Sequence, residues 1–123
     1  MTSRAPVGNI AIAAQPMCTN QGFKSFVPKP GLNSLYLYFA LRAIVPAIQK
    51  QSHGNTFTEI TKDLIGQFQI PVPPTVDDQI AIAAELERKL NHVESMLQTC
   101  NRELETISAL PGAILREAFD FGE

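Results

Sequence analysis

Two short stretches of the sequence concentrate side chains that could contact an anion or a polar ligand. In CTNQGFKSF, residues 18–26, amide and hydroxyl groups surround a glycine and Lys24. In HGNTFTEITK, residues 53–62, three threonines lie between Asn55 and Lys62. Lysine and hydroxyl groups can bind phosphate, whereas amides can donate and accept at base edges. The chemistry to weigh first is therefore contact with nucleic acid.

A structural interpretation of the same residues is also open. Asn20 can close a turn by bonding to nearby backbone, and Gln21 can satisfy buried backbone groups. Thr58 and Thr61 can close turns in the second stretch. Gly22 permits a tight or left-handed turn under either interpretation.

The sequence lacks the residue clusters that catalysis or metal binding requires. Of the two histidines, His92 lies on a predicted helix, and His53 has no Cys, Asp or Glu at ligand spacing. Asp77 and Asp78 adjoin a predicted helix start, where capping explains them. No GxSxG, GxxxxGK[ST] or GxGxxG motif occurs. We therefore predict a non-catalytic chain with no metal and no cofactor of its own.

Length and composition favour one globular unit with an appendage. The chain has 123 residues, of which 45% are hydrophobic. Cys18 and Cys100 are far apart and form no CxxC pair, which favours a reduced, cytoplasmic setting. No apolar run approaches the roughly 20 residues that span a bilayer, so we expect no membrane association. The start, MTSRAPVGNIAIAA, suggests a partial domain that enters a sheet with little introduction.

Charge is distributed unevenly along the chain. Residues 1–74 contain six Lys or Arg and two Asp or Glu, a balance of +4. Residues 75–123 contain four basic and ten acidic side chains, a balance of −6. This asymmetry suggests an anion-facing part joined to a part that meets protein or solvent, although two ordinary solvated surfaces could also produce it.

Alternating and helical patterns in residues 1–74 predict an α+β unit. Three short strands are predicted from alternation, at Asn9–Ala14, Phe23–Val27 and Gln67–Val72. Between the second and third strands, a helix is predicted to begin after Asn33, a residue type that favours the N-cap position. Pro46 is expected to kink this helix. Its predicted apolar face contains Leu35, Phe39, Ala43 and Ala47, with Tyr36, Ala40 and Ile44 alongside. A further helical turn is predicted at Thr61–Gly66.

A long helix is predicted from Asp77 to Leu110, after a T-x-x-D capping box at Thr75–Asp78. Apolar residues then recur at alternating spacings of three and four, which is the heptad pattern of a coiled coil. The pattern starts at Ala83, and we call its later positions the seam: Leu86, Leu90, Val93, Leu97, Cys100, Leu104 and Ile107.

The seam is too apolar to remain in water. Burying each of its large aliphatic side chains is worth roughly 1.5–3 kcal/mol. Pro111 and Gly112 are expected to interrupt the helix, which leaves AILREAF as a short tail segment and no second long helix in the chain. The partner helix must then come from another copy or another protein. Packing on the chain's own core is the alternative.

Six motifs in order resemble one known family, the specificity subunits of type I restriction-modification enzymes. The motifs are SRAPVGNIAIA, CTNQGFKSF, YLYFALR, GNTFTEITK, FQIPVPP followed by DDQIAIAAEL, and AILREAF. The resemblance implies that residues 1–74 are the C-terminal part of a DNA target recognition domain. It implies that residues 75–110 are the coiled-coil spacer helix and residues 111–123 a short C-terminal segment.

The same resemblance implies partners and contact residues. It implies double-stranded DNA and methyltransferase subunits as partners, with restriction subunits as a further candidate. Because the long helix needs a partner helix, a homo-oligomer is also predicted. The expected DNA-contact residues are Arg4, Lys24, Ser25, Asn55 and Lys62, with Lys24 and Ser25 on the DNA backbone. The expected function is a non-catalytic DNA-specificity component. The alternative is a truncated specificity subunit that serves as an assembly module without useful DNA binding.

Overall fold

Three helices make up the regular secondary structure of the described residues. A computed structural model describes residues 1–4, 6–52 and 60–119. The helices are α1 (Ser34–Ser52), α2 (Lys62–Gly66) and α3 (Val76–Ala118). The chain divides into two units, which we call unit 1 (Met1–Leu86) and unit 2 (Glu87–Glu123). None of the helices in the described ranges is long and apolar enough to cross a bilayer.

The predicted α+β class, with three short strands, is wrong. Within the described ranges the strand-like pairing is a single isolated antiparallel bridge between Thr2 and Phe23. Two backbone hydrogen bonds flank it, from the Ser3 N–H to the Gly22 carbonyl at 2.8 Å and from the Lys24 N–H to the Met1 carbonyl at 2.8 Å. A strand needs a neighbour that continues this ladder, and alternation in sequence does not supply one.

Helix α1 begins where the sequence predicted, but the predicted apolar face is buried only in part. The Asn33 side-chain oxygen accepts the backbone N–H groups of Leu35 at 3.0 Å and Tyr36 at 2.9 Å, which confirms Asn33 as the cap. Ala43 and Ala47, on the predicted face, are exposed. The buried residues of α1 are Tyr36, Leu37, Leu41 and Ile48. Pro46 lies inside α1, and the kink there stays a prediction.

The core of unit 1 forms where the N-terminal segment packs against α1. Met1, Val7, Ile48 and Ile60 are its buried members. Gly8 follows Val7 with φ +95°, and a Cβ there would lie 2.5 Å from Val45 Cγ1. Only glycine fits this close approach without strain, so the turn at Gly8 seats the N-terminal segment on the helix.

The start of α3 is capped as predicted, and the start of α2 is capped by Thr61, which was predicted to lie inside the helical turn. The Thr61 side chain accepts the Leu64 N–H at 3.2 Å. At α3, the Thr75 hydroxyl accepts the Asp78 N–H at 3.1 Å and donates to the Asp78 carboxylate at 2.6 Å. Both caps are local, because donor and acceptor lie three residues apart.

Helix α3 does not stop where the sequence predicted. Pro111 lies inside it, and the helix ends at Ala118, so the expected interruption at Pro111–Gly112 is wrong. A proline costs one backbone hydrogen bond. The residues that follow, AILREA, include strong helix formers that continue the helix beyond it. The division into segments 1–74, 75–110 and 111–123 stays a prediction.

Candidate functional site

Lys24 is held in place by both its backbone and its side chain. Its ammonium donates to the Ser3 hydroxyl at 3.3 Å, and the side chain is partly buried. Its carbonyl accepts the Met1 α-ammonium at 3.0 Å, and its N–H donates to the Met1 carbonyl at 2.8 Å. This geometry explains why the stretch needs a long donor at position 24. An ammonium carries three donors, so the contact with Ser3 is one of several that this side chain can make.

The Met1 α-ammonium adds a second cationic group beside the Lys24 carbonyl. Desolvation by burial lowers the pKa of this group below its ordinary value of 8.0. The positive charge at Met1 is therefore lost at a lower pH than that of an exposed N-terminus.

The turn around residues 19–25 is closed by its own side chains. The Asn20 side-chain oxygen accepts the Gly22 N–H at 2.9 Å, which confirms the structural role predicted for Asn20. The hydroxyls of Thr19 and Ser25 lie 3.0 Å apart. Ser25 is exposed, so its hydroxyl is presented on the surface of unit 1.

Ser3 is the residue that joins the predicted DNA-contact segments. It is fully buried, at 0% exposure. Its N–H donates to the Gly22 carbonyl at 2.8 Å, and its carbonyl accepts the Ile60 N–H at 2.9 Å. These two bonds, with the Lys24 contact, bring the segments that carry Arg4, Lys24 and Lys62 to one region of unit 1.

The remaining predicted contact residues are placed as follows. Arg4 directly follows Ser3 and is exposed. Lys62 is the first residue of α2 and is also exposed. Asn55 lies outside the described residues. Sequence reasoning missed Ser3, because a single serine near a chain start gives no periodic or motif signal; its partners at residues 22, 24 and 60 are all distant in sequence.

An apolar groove of about 670 Å³ lies within unit 1. Its walls come from the segment that contains Ile10 and Ile12, from Phe23 and Phe26, and from Leu41 of α1. Tyr38 also lines it, and the Arg42 guanidinium lies 5.5 Å from the centre of the Tyr38 ring. A groove with this lining offers apolar contact and no acid–base pair.

Gln79 fixes the start of α3 to unit 1, and sequence reasoning missed it. It is 1% exposed. Its carbonyl oxygen accepts the Asn33 N–H at 2.8 Å, and its amide nitrogen donates to the carbonyls of Gly31 and Pro73, each at 3.0 Å. The Tyr36 hydroxyl makes a similar link, donating to the Pro71 carbonyl at 2.6 Å. These bonds connect the proline-rich junction to the residues that begin α1.

The seam residues lie on one face of α3, and all are exposed. Ala83, the position just before the seam, is 1% exposed, whereas Leu97 is 55% and Leu104 63% exposed. Continuing the same spacing along unit 2 leads to Ile114, which is also exposed. A face of large aliphatic side chains at heptad spacing is suited to pack against another helix.

Side chains that could bind a metal ion form no cluster in the described ranges. No group of three His, Cys, Asp or Glu side chains lies close enough to hold a metal ion there. Cys18 and Cys100 are both exposed thiols. The arrangement offers basic and hydroxyl groups in unit 1 and an apolar face in unit 2, and both are suited to binding.

Comparison with known proteins agrees with the motifs. Residues 1–106 match a family described as the type I restriction modification DNA specificity domain. The chain is 29% identical, over 97% of its length, to the type I restriction enzyme MjaIX specificity subunit of Methanocaldococcus jannaschii. It is 30% identical, over 85% of its length, to the putative type I restriction enzyme MjaX specificity subunit of the same organism.

The chain corresponds to only part of each relative. It spans 27% of the first relative and 24% of the second. No solved structure matches it.

Proposed function

Because the chain belongs to the type I restriction modification DNA specificity domain family, we propose that it is a non-catalytic DNA-specificity component of a type I restriction-modification system. In this proposal unit 1 contacts double-stranded DNA. Unit 2 assembles with methyltransferase subunits and, through them, with restriction subunits. Methyl transfer and cleavage belong to those partners, and the complex acts in the cytoplasm, where its DNA lies.

The convergence of three basic segments on Ser3 carries the DNA-binding part of the proposal. Arg4, Lys24 and Lys62 come from segments that are distant in sequence, and the bonds of Ser3 gather them. Residues 1–74 carry a charge balance of +4, which suits a polyanion. Lysine and arginine contacts to phosphate supply most of non-specific affinity for DNA and position a protein on the duplex.

The exposed seam supports the assembly part of the proposal. Helical residues 87–118 of unit 2 would extend about 48 Å at 1.5 Å per residue. Along this length the seam presents aliphatic side chains that gain free energy when a partner helix covers them. Residues 75–123 carry a charge balance of −6, which disfavours DNA as the partner of this part.

Selection of bound duplexes from a random DNA pool tests this function. The chain is assayed alone and with a methyltransferase subunit, at low and at moderate salt. We expect enrichment of a short motif in the presence of the methyltransferase subunit. Binding that is salt-sensitive but enriches no motif would remove sequence recognition from the proposal and leave backbone contact only.

A second function, an assembly module without useful DNA binding, is favoured by one observation. The Lys24 ammonium donates a hydrogen bond to the hydroxyl of the buried residue Ser3, as a lysine with a purely structural role would. In that case the chain binds a methyltransferase subunit with normal affinity, and no duplex is retained at any salt concentration. Measuring both affinities on the same preparation separates the two functions.

A further inference from the structure

Helix α1 carries a basic side chain, Arg42, that belongs neither to the predicted DNA-contact residues nor to the seam. We propose that Arg42 binds a phosphate of the DNA backbone, and that Tyr38 positions its guanidinium for this contact. The inference rests on the proposed function, in which DNA is the partner of unit 1. It deepens that function by adding the face of α1 that lies beside the apolar groove to the DNA interface.

The guanidinium of Arg42 is held on the surface of α1 by the side chain one turn before it. Its Nη1 donates to the Tyr38 hydroxyl at 3.2 Å, and its Cζ lies 5.5 Å from the centre of the Tyr38 ring. A cation this close to the face of an aromatic ring is attracted to it. The Tyr38 ring also makes an edge-to-face contact with Phe39, with 5.1 Å between the ring centres. Arg42 is therefore oriented before any ligand binds, which lowers the entropic cost of binding one.

Arg42 has hydrogen-bonding capacity beyond this contact. A guanidinium carries five N–H donors in a planar fork, and the bond to the Tyr38 hydroxyl uses one of them. The side chain is exposed. The fork matches the geometry of phosphate oxygens, so that two N–H groups can bind one phosphate. An exposed and oriented guanidinium is thus suited to the DNA backbone.

The sequence around Arg42 supplies no carboxylate to neutralise it. Residues 1–52 contain five basic side chains and no Asp or Glu. The basic residues are Arg4, Lys24, Lys29, Arg42 and Lys50. A segment with basic and no acidic side chains has a positive potential, which attracts an external polyanion. The charge of Arg42 is therefore complementary to DNA.

Arg42 ends a row of polar groups along α1. Ser34, Tyr38 and Arg42 recur every four residues, which places them on one face of the helix. Ser34 and Tyr38 both line the apolar groove. Eight residues of helix extend about 12 Å, and the phosphates of one DNA strand follow one another at about 3.4 Å along the duplex axis. The row is therefore long enough to lie along several phosphates of one strand.

Ser25 belongs to the same surface as this row, whereas the Lys24 ammonium does not. Exposure alternates along residues 22–27, and Lys24 is partly buried while Ser25 is exposed. The Lys24 ammonium donates to Ser3, but Ser25 lines the groove together with Tyr38. The Ser25 hydroxyl is neutral and gives little attraction to a phosphate by itself. Arg42 supplies the positive charge on this side of unit 1.

Salt-dependent DNA binding by Arg42 variants tests the inference. The chain in complex with a methyltransferase subunit is titrated with random-sequence duplexes at several salt concentrations. Arg42→Ala should weaken binding about tenfold on every sequence and reduce the slope of log affinity against log salt by about one, because one phosphate contact is lost. Arg42→Lys should keep the slope, since the charge remains, but recover only part of the affinity, since an ammonium lacks the fork. The matched control is Lys50→Ala, an exposed cation in the last turn of α1 that does not line the groove, for which the slope should not change.

A double-mutant cycle tests the positioning role of Tyr38. Tyr38→Phe keeps the ring beneath the guanidinium and removes the hydroxyl that accepts from it. We expect this variant to weaken DNA binding about threefold with the salt slope unchanged, because the charge stays but is less well oriented. In an Arg42→Ala background the same substitution should have no further effect on affinity. Equal losses in both backgrounds would show that Tyr38 acts independently of Arg42 and would overturn the positioning role.

Chemical modification tests the contact in the unaltered chain. Phenylglyoxal reacts with accessible guanidinium groups, and mass spectrometry locates the modified residues. Adding duplex to the complex should protect Arg42 and leave Arg102 of unit 2, which is also exposed, as reactive as before. Equal reactivity of Arg42 with and without DNA would contradict the proposed contact.

Failure of this inference can be told apart from failure of the proposed function. If the wild-type complex binds DNA and Arg42→Ala has the same affinity and slope, the inference is overturned and the proposed function stands. Equal losses in Arg42→Ala and Lys50→Ala would assign both to the overall charge of α1 and would also overturn the inference. If the wild-type complex retains no duplex at any salt concentration, the DNA-binding part of the proposed function fails, and the inference fails with it.

Discussion

The first turns of α3 and its later turns follow the same heptad pattern but have opposite environments. Gln79 and Ala83 occupy the pattern in unit 1, and each is 1% exposed. Leu97 and Leu104 occupy equivalent positions in unit 2 and are more than half exposed. A heptad pattern thus identifies the face of a helix that needs a partner, whereas the partner's identity depends on what the rest of the chain brings to it.

The residue types differ as the environments do. In unit 1 the buried positions are small or polar, and Gln79 is fixed by three hydrogen bonds to backbone groups. In unit 2 the positions are mostly large and aliphatic, with no directional requirement. Hydrogen-bonded polar contacts specify one geometry, whereas aliphatic contacts contribute free energy in proportion to the area buried. The first turns of α3 are therefore built to hold one fixed position, and the later turns to adhere to another helix.

The largest predicted effect comes from placing a charge in the exposed seam. Leu97→Asp should weaken helix association by about 3 kcal/mol or more, roughly 100-fold or more in dissociation constant, because a buried carboxylate would lack a partner. The thermal unfolding of unit 1 should not change. Analytical ultracentrifugation measures association. The control is Ala109→Asp, which introduces the same charge at an exposed position off the seam; equal losses in both variants would contradict a specific role for position 97.

The next effect should appear at Gln79 and affect the other unit. Gln79→Ala removes three hydrogen bonds and leaves the Asn33 N–H and two carbonyls to be satisfied by water. We expect the free energy of unfolding to fall by about 2–3 kcal/mol, measured by urea denaturation. Gln98→Ala, at an exposed position of α3, is the control and should be neutral. If Gln79→Ala instead lowered association without affecting unfolding, the division of roles along α3 would be incorrect.

A matched pair of substitutions sharpens the comparison further. Ala83→Leu enlarges a fully buried position and should destabilise unit 1 by about 1–3 kcal/mol through overpacking. Cys100→Leu enlarges an exposed position of the same pattern and should tighten association by about 1 kcal/mol, since it adds apolar area to the interface. Thermal unfolding should therefore show a lower melting temperature for Ala83→Leu, and sedimentation should show a lower dissociation constant for Cys100→Leu. If both variants destabilised unit 1, or both tightened association, the two regions of α3 would not differ in packing.

Local features of the fold could be predicted from the sequence, and non-local ones could not. The caps at Asn33 and Thr75 were predicted because each depends on residues two or three positions away. The strands were wrong because alternation describes one segment, whereas a strand requires a second segment in hydrogen-bonding register. The end of α3 was also wrong, because the helix continues through Pro111 despite the hydrogen bond that proline removes.

The same distinction applies to the candidate site. Lys24 and the seam could be selected as candidates because their residue types and spacing are visible in sequence. Ser3 and Gln79 could not, since their identifying partners are distant along the chain. Ser3 bonds to residues 22 and 60, and Gln79 bonds to residues 31 and 33. A buried polar residue becomes conspicuous only when the fold shows which backbone groups it satisfies.

The smallest predicted effect decides what the basic part of unit 1 contributes. Lys24→Ala should weaken DNA binding on every sequence to a similar extent and reduce the slope of log affinity against log salt by about one, because one phosphate contact is lost. The control is Lys29→Ala, an exposed lysine outside the segments joined by Ser3, for which the slope should not change. An unchanged slope for Lys24→Ala with a lower melting temperature would assign Lys24 to the fold, through its contact with Ser3. Unit 1 would then resemble the first turns of α3, with its polar groups used for internal fixation, and binding to DNA would have to come from Arg4, Ser25 or Lys62.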